Sequence, residues 1–72
     1  MNWLYRTEDD TWCLDGQDIQ IRRGILEQSS GTASYIVYGA RMIYHGTRLL
    51  HKETKLNKAI EFAESYAVKL DD

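Results

Sequence analysis

Two periodicities divide this chain. From Trp3 to about Leu50, apolar and polar positions alternate in short runs broken by glycine and polar clusters, and from Thr54 the apolar positions recur every three or four residues. Leu56, Ala59, Ile60, Ala63, Tyr66, Ala67 and Leu70 fall on one face at the 3.6-residue period, which predicts an amphipathic helix over Thr54–Leu70. Thr54 is the expected N-cap, its hydroxyl accepting an otherwise orphaned backbone N–H. Asn57, Lys58, Glu61, Glu64 and Ser65 make the polar face, Phe62 borders the stripe, and Val68 stands off it.

The alternating part predicts strands. Trp3–Arg6 leads through a turn at Thr7–Asp10 into Thr11–Leu14, where Trp12 and Leu14 share a face. Asp15-Gly16 is a hairpin signal, because glycine tolerates positive φ. Asp18–Arg23 alternates next, with Ile19 and Ile21 on one side, and Gly24 marks a bulge or the strand's end. Gln28–Thr32 reads as a polar loop, and Tyr35–Tyr38, the most β-prone run, as a central strand. Gly39-Ala40 is expected to turn into Arg41–Tyr44, and His45-Gly46 into Thr47–Leu50. The expected fold is α+β, a single sheet-plus-helix domain over residues 1–72. Its sheet is a four- or five-stranded antiparallel meander, with the C-terminal helix packed on one face. One helix covers one side of a sheet, so the other side stays open, and about half the eight aromatics are expected there.

Size limits what such a plan can do. A chain of 72 residues buries only about 60% of the surface its unfolded form exposes. The 43% hydrophobic and 28% charged shares are those of an ordinary globule. No apolar run approaches the ~20 residues of a membrane span, and Met1-Asn2-Trp3 lacks the features of a signal peptide. Cys13 is alone, so there is no internal disulfide, and a reduced thiol fits a cytoplasmic protein.

Candidate chemistry is sparse. Cys13, His45 and His51 are too few and too widely spaced for structural zinc. Cys13 with a histidine and Asp15 lacks any supporting spacing for nucleophilic catalysis, and Asp9 with Asp10 sits in an expected exposed turn. The expectation is a non-enzymatic protein without cofactor or metal.

Charge placement carries more. The net charge is −2, but Glu8, Asp9, Asp10, Asp15 and Asp18 form an acidic stretch without a base. With Trp12 as an aromatic anchor, these residues are the candidate surface for a larger protein or protein complex, since complementary charge steers encounter. Arg41, Tyr44, Arg48, Lys52, Lys55 and Lys58 form the alternative, a nucleic-acid surface of cations and a stacking ring. The pI near 5.6 weighs against it, because such domains usually lie above about 9. A third possibility is a structural subunit that stays monomeric or completes itself as a homodimer through its edge strands.

The tail Thr54–Glu64 is similar to the strand-then-helix ending of the HicB antitoxins, but the Pro-Asp-Leu-Pro-Gly-type segment of that family is missing. In size, acidity and its sheet-plus-helix plan, the whole chain resembles the short orphan proteins of bacteriophages and mobile elements, including anti-CRISPR and other host-takeover inhibitors. That resemblance implies an inhibitor or adaptor that occupies a surface of a larger target in the host cytoplasm.

Overall fold

The computed structural model describes residues 1–71. Strands β1 (Trp3–Arg6), β2 (Thr11–Leu14), β3 (Ile19–Ser30), β4 (Ala33–His45) and β5 (Arg48–Glu53) form one antiparallel sheet in sequence order, and α1 (Leu56–Leu70) crosses one face. This is the meander with a single C-terminal helix that the two periodicities predict.

The register explains the core. Trp12 lies opposite Ile21, Ile21 opposite Ile43, and Ile43 opposite His51, so these side chains form one row on the helix-covered face. Leu14, Ile19, Ile21 and Ile43 are buried there against Ala59, Ala63 and Ala67. The three alanines recur along one helix stripe and bring the backbone of α1 close to the sheet. Burying an aliphatic side chain of this size contributes about 1.5–3 kcal/mol, and three isoleucines with no exposure anchor the body. At the margins, Trp3 Nε1–H donates to Glu64 (3.0 Å), and His51 stacks on Phe62 with ring centroids 4.5 Å apart.

Several expectations are corrected. Gln28–Thr32 is not a loop: β3 runs on to Ser30 and only Gly31-Thr32 turn the chain. Gly39-Ala40 is not a turn either, because β4 is continuous and Gly39, at φ 75°, is absorbed as a bulge where the register shifts at Gly24/Ile25. A positive-φ glycine serves either purpose, and the pairing partner decides between them. The helix starts at Leu56, with Lys55 at the N-cap and no side-chain cap. Thr54 donates its hydroxyl to the Glu53 carboxylate (3.3 Å) instead. Leu70 is exposed, Ile60 only partly buried, and Glu64 partly buried through its bond to Trp3. Most aromatics lie on the helix side, among them Trp3, Trp12, Phe62 and Tyr66, rather than half on the open face. Tyr44 and Tyr35 are the ones that the alternation places on the uncovered side.

Candidate functional site: a projecting arm and its root

The half of the β3–β4 hairpin near its turn stands apart from the rest of the sheet. β2 pairs with β3 only at Gln20 and Ile21, and β5 pairs with β4 only from Arg41 to His45. From the pair Ile25–Tyr38 to the pair Ser30–Ala33, the ribbon therefore has two strands and no third. At about 3.3 Å per residue it projects roughly 20 Å. It is apolar on both sides. Ile25, Ile36 and Tyr38 share the helix side beyond the reach of α1, and Leu26, Val37 and Tyr35 share the other. Tyr38 is 74% exposed, Ile25 56%, and Tyr35 and Ile36 51% each. Glu27 is the one charge between Ile25 and Ala40.

The root of the arm is polar and tied down. Arg23 and Arg41 lie directly opposite each other, a like-charge pair that needs an anion. Asp10 supplies it. Its carboxylate lies 3.4 Å from Arg41 Nη1 and 3.7 Å from Arg23 Nη1, and accepts a 2.8 Å hydrogen bond from the Tyr5 hydroxyl. Asp10 holds a left-handed backbone (φ 50°), which aims its side chain from the β1–β2 turn at the root. The Tyr5 hydrogen bond, and then the Arg41 guanidinium, hold the Asp10 carboxyl below its ordinary value. That same hydrogen bond raises the Tyr5 phenol. Tyr5 in turn packs on Trp12, with centroids 4.7 Å apart. At Gly39 a side chain would come within 3.1 Å of the Arg23 guanidinium, so the bulge must stay bare for Arg23 to lie across it.

The structure divides each of the two clusters expected from sequence between separate elements. Glu8, Asp9 and Asp10 sit in the β1–β2 turn, while Asp15 and Asp18 flank the β2–β3 turn at the other end of β2, about 13 Å away by strand rise. Asp9 pairs with Arg6 (2.7 Å), which lowers its carboxyl, and Asp10 is occupied by the arm root. Trp12 faces Ile21 and is half-buried on the helix side. Among the basic residues, Arg41 belongs to the root, and Tyr44 and Lys52 lie on the uncovered face. Arg48 is next to the β4–β5 turn, and Lys55 and Lys58 open the helix. Lys58 pairs with Glu61 (3.7 Å).

Sequence reasoning missed the arm and the two arginines that precede it on β3. Arg22, whose guanidinium lies 4.9 Å over the Tyr44 ring, alternates with Ile19 and Ile21 and falls on the uncovered face, whereas Arg23 shares their parity and their face. The near absence of charge from Ile25 to Ala40 was the legible sign of the arm.

The histidines join the two layers. His45 Nδ1 lies 3.0 Å from the Tyr66 hydroxyl, and His51 rests on Phe62. Among the described residues, no group of three or more His, Cys, Asp or Glu is placed to hold a metal, and no helix is long and apolar enough to cross a membrane. Compared with protein-family models, curated proteins and solved structures, the chain matches none of them.

Proposed function

We propose that this chain is a non-enzymatic protein-binding module acting in the cytoplasm, an inhibitor or adaptor that occupies a surface of a larger protein, with the β3–β4 arm as its contact element. This is the mode of action that the resemblance to phage anti-defence and host-takeover proteins implies. The observation that supports it is the exposure of Ile25, Ile36 and Tyr38 on a ribbon with no layer of its own beneath them. An isolated two-stranded ribbon is marginal in water, and a stretch of this kind rarely persists without a surface to cover it. Tyrosine anchors suit that role, because they add large area at low conformational cost. Glu8, Asp15 and Asp18, exposed and in no ion pair among the described residues, would steer a basic partner without carrying the affinity.

The test is capture of the target by the full chain, compared with the double variant Ile25→Ser/Tyr38→Ser. The expected result is at least about a tenfold loss of affinity at unchanged melting temperature, because both side chains are half or more exposed. Asp15→Asn/Asp18→Asn should slow association and leave dissociation unchanged. Undiminished capture by the arm variant contradicts the proposal. Salt-sensitive retention on DNA, abolished by Arg22→Ala/Lys52→Ala, would favour the nucleic-acid reading, for which the Arg22–Tyr44 stack beside Lys52 is the specific feature.

A further inference from the structure

The arm has edges as well as faces, and the edges differ. Along its β3 edge, from Ile25 to Ser30, the arm carries Glu27, the sort of charge that protects an unpaired strand. Along its β4 edge, from Ala33 to Ala40, there is no charge and no proline. Beside that edge runs an empty lane. β5 pairs with β4 only at Arg41 to His45, and from Ala33 to Gly39 no strand among the described residues pairs with that edge.

We infer that the β4 edge of the arm pairs antiparallel with the β4 edge of a second copy of this chain, about a two-fold axis at Ile36, making the module a weak homodimer. The inference rests on the arm being the contact element. It assigns the edge to self-association and leaves the faces to the target.

Three features select a second copy over another occupant. The first is length. The vacant lane spans Ala33–Gly39, and the free segment of a second β4 is that same segment, so its turn would abut the end of β5 without overlapping it. The second is charge. A partner chosen by charge complementarity gains nothing from this edge, whereas two uncharged edges meet without a like-charge conflict. The third is register. An antiparallel two-fold keeps each residue on its own face, so residues of the same parity lie opposite each other. With the axis at Ile36, Tyr35 faces Val37 of the second copy, an aromatic against a β-branched side chain, and Ile36 faces itself. Ile25, Ile36 and Tyr38 of both copies then form one apolar platform. Counting the edge and the flanks of Tyr35, Ile36 and Tyr38, the buried surface lies at the low end for specific interfaces, below roughly 600 Å² per copy. An interface of this size belongs to the weak, transient class.

The experiment is sedimentation equilibrium of the full chain from low micromolar to high micromolar concentration, with two charge variants. Wild type should show a reversible monomer–dimer equilibrium. Ile36→Lys and Ile36→Glu should each stay monomeric, their dimer weakened at least about tenfold because like charges meet on the axis, and an equimolar mixture should recover a heterodimer. Ile36 is half exposed, so both variants should keep the wild-type circular-dichroism spectrum. A monomer mass for wild type throughout, a dimer that survives both substitutions, or a mixture that stays monomeric would each overturn the inference. Target capture separates the two levels. A monomeric wild type that still needs Ile25 and Tyr38 to capture its target removes the dimer and leaves the arm as contact element. A dimer whose target capture ignores those residues does the reverse.

Discussion

The body of the sheet and the arm share two strands, β3 and β4, and much the same residues, with opposite results. Ile19, Ile21 and Ile43 lie in β3 and β4 where α1 covers them and have no exposed surface. A few residues further along the same strands, Ile25 and Ile36 are more than half exposed. Local propensity is alike in both places, since β-branched and aromatic residues favour a pleated surface anywhere. The difference is a second layer. A helix of 15 residues reaches about 22 Å, enough to cover the part of the sheet between β1 and β5 and no more. Strand formation is therefore a poor guide to burial, and the same apolar residues stabilise the fold in one region and are free for a partner in the other.

The sharpest way to break this contrast is to remove a methyl-bearing side chain from each region. Ile43→Ala should cost about 2–5 kcal/mol by transfer and cavity terms, a large part of a small domain's stability, and lower the melting temperature steeply. A wild-type melting curve for it would show that the helix does not pack as described. Next comes the alanine stripe. Ala63→Leu overfills a site with no exposed surface and should cost about 1–3 kcal/mol, readable in urea denaturation. A neutral result would mean that α1 rides higher on the sheet.

At the boundary between the regions, Gly39→Ala forces a side chain into a left-handed backbone and against Arg23, and should cost about 1 kcal/mol. Asp10→Asn keeps an acceptor for Tyr5 and tolerates the same backbone, so it isolates the charge. The carboxyls of Asp9, Asp10 and Glu53 are all held below their ordinary values, Asp9 and Asp10 by hydrogen bonds from Arg6 and Tyr5 respectively, Glu53 by the Thr54 backbone N–H. A depressed carboxyl stabilises the fold fully above its ordinary pKa, and that contribution is lost as pH falls through the lower folded value. The melting temperature should thus be flat from neutrality to about pH 5 and fall below about pH 4, more shallowly in Asp10→Asn. The smallest effect belongs to Ile36→Ala, which should change monomer stability by no more than about 0.5 kcal/mol, against several for Ile43→Ala. Equal losses at the two positions would erase the distinction between arm and body.

Much of this was legible in the sequence. The alanine and isoleucine spacings located α1 and the core, and Asp15-Gly16 marked a tight turn, with Gly16 at φ 85°. What escaped was long-range. Nothing near Gly39 says whether its positive φ ends a strand or bulges inside one, because the answer lies fifteen residues away at Gly24. Ser29 and Ser30 look like loop residues until Ser34 and Ala33 are seen across from them. Asp10 reads as one acid in a cluster, and its two arginines arrive from β3 and β4. Tyr35–Tyr38 lies in β4, an interior strand of the sheet, but this stretch runs past the ends of β5 and α1, since propensity reports pairing and not coverage.

The most direct test is native-state amide hydrogen exchange of the full chain at a concentration where sedimentation gives a monomer mass. The amides of β3 and β4 that are hydrogen-bonded between Ile19–Ile21 and Ile43–His45 should exchange only through global unfolding. Those bonded across the ribbon between Leu26–Ser30 and Ala33–Val37 should open at least about a hundredfold more readily, since among the described residues no third strand pairs with the ribbon and α1 does not reach it. Equal protection along the whole hairpin would contradict the account, because it would mean that the arm is stabilised as part of the core.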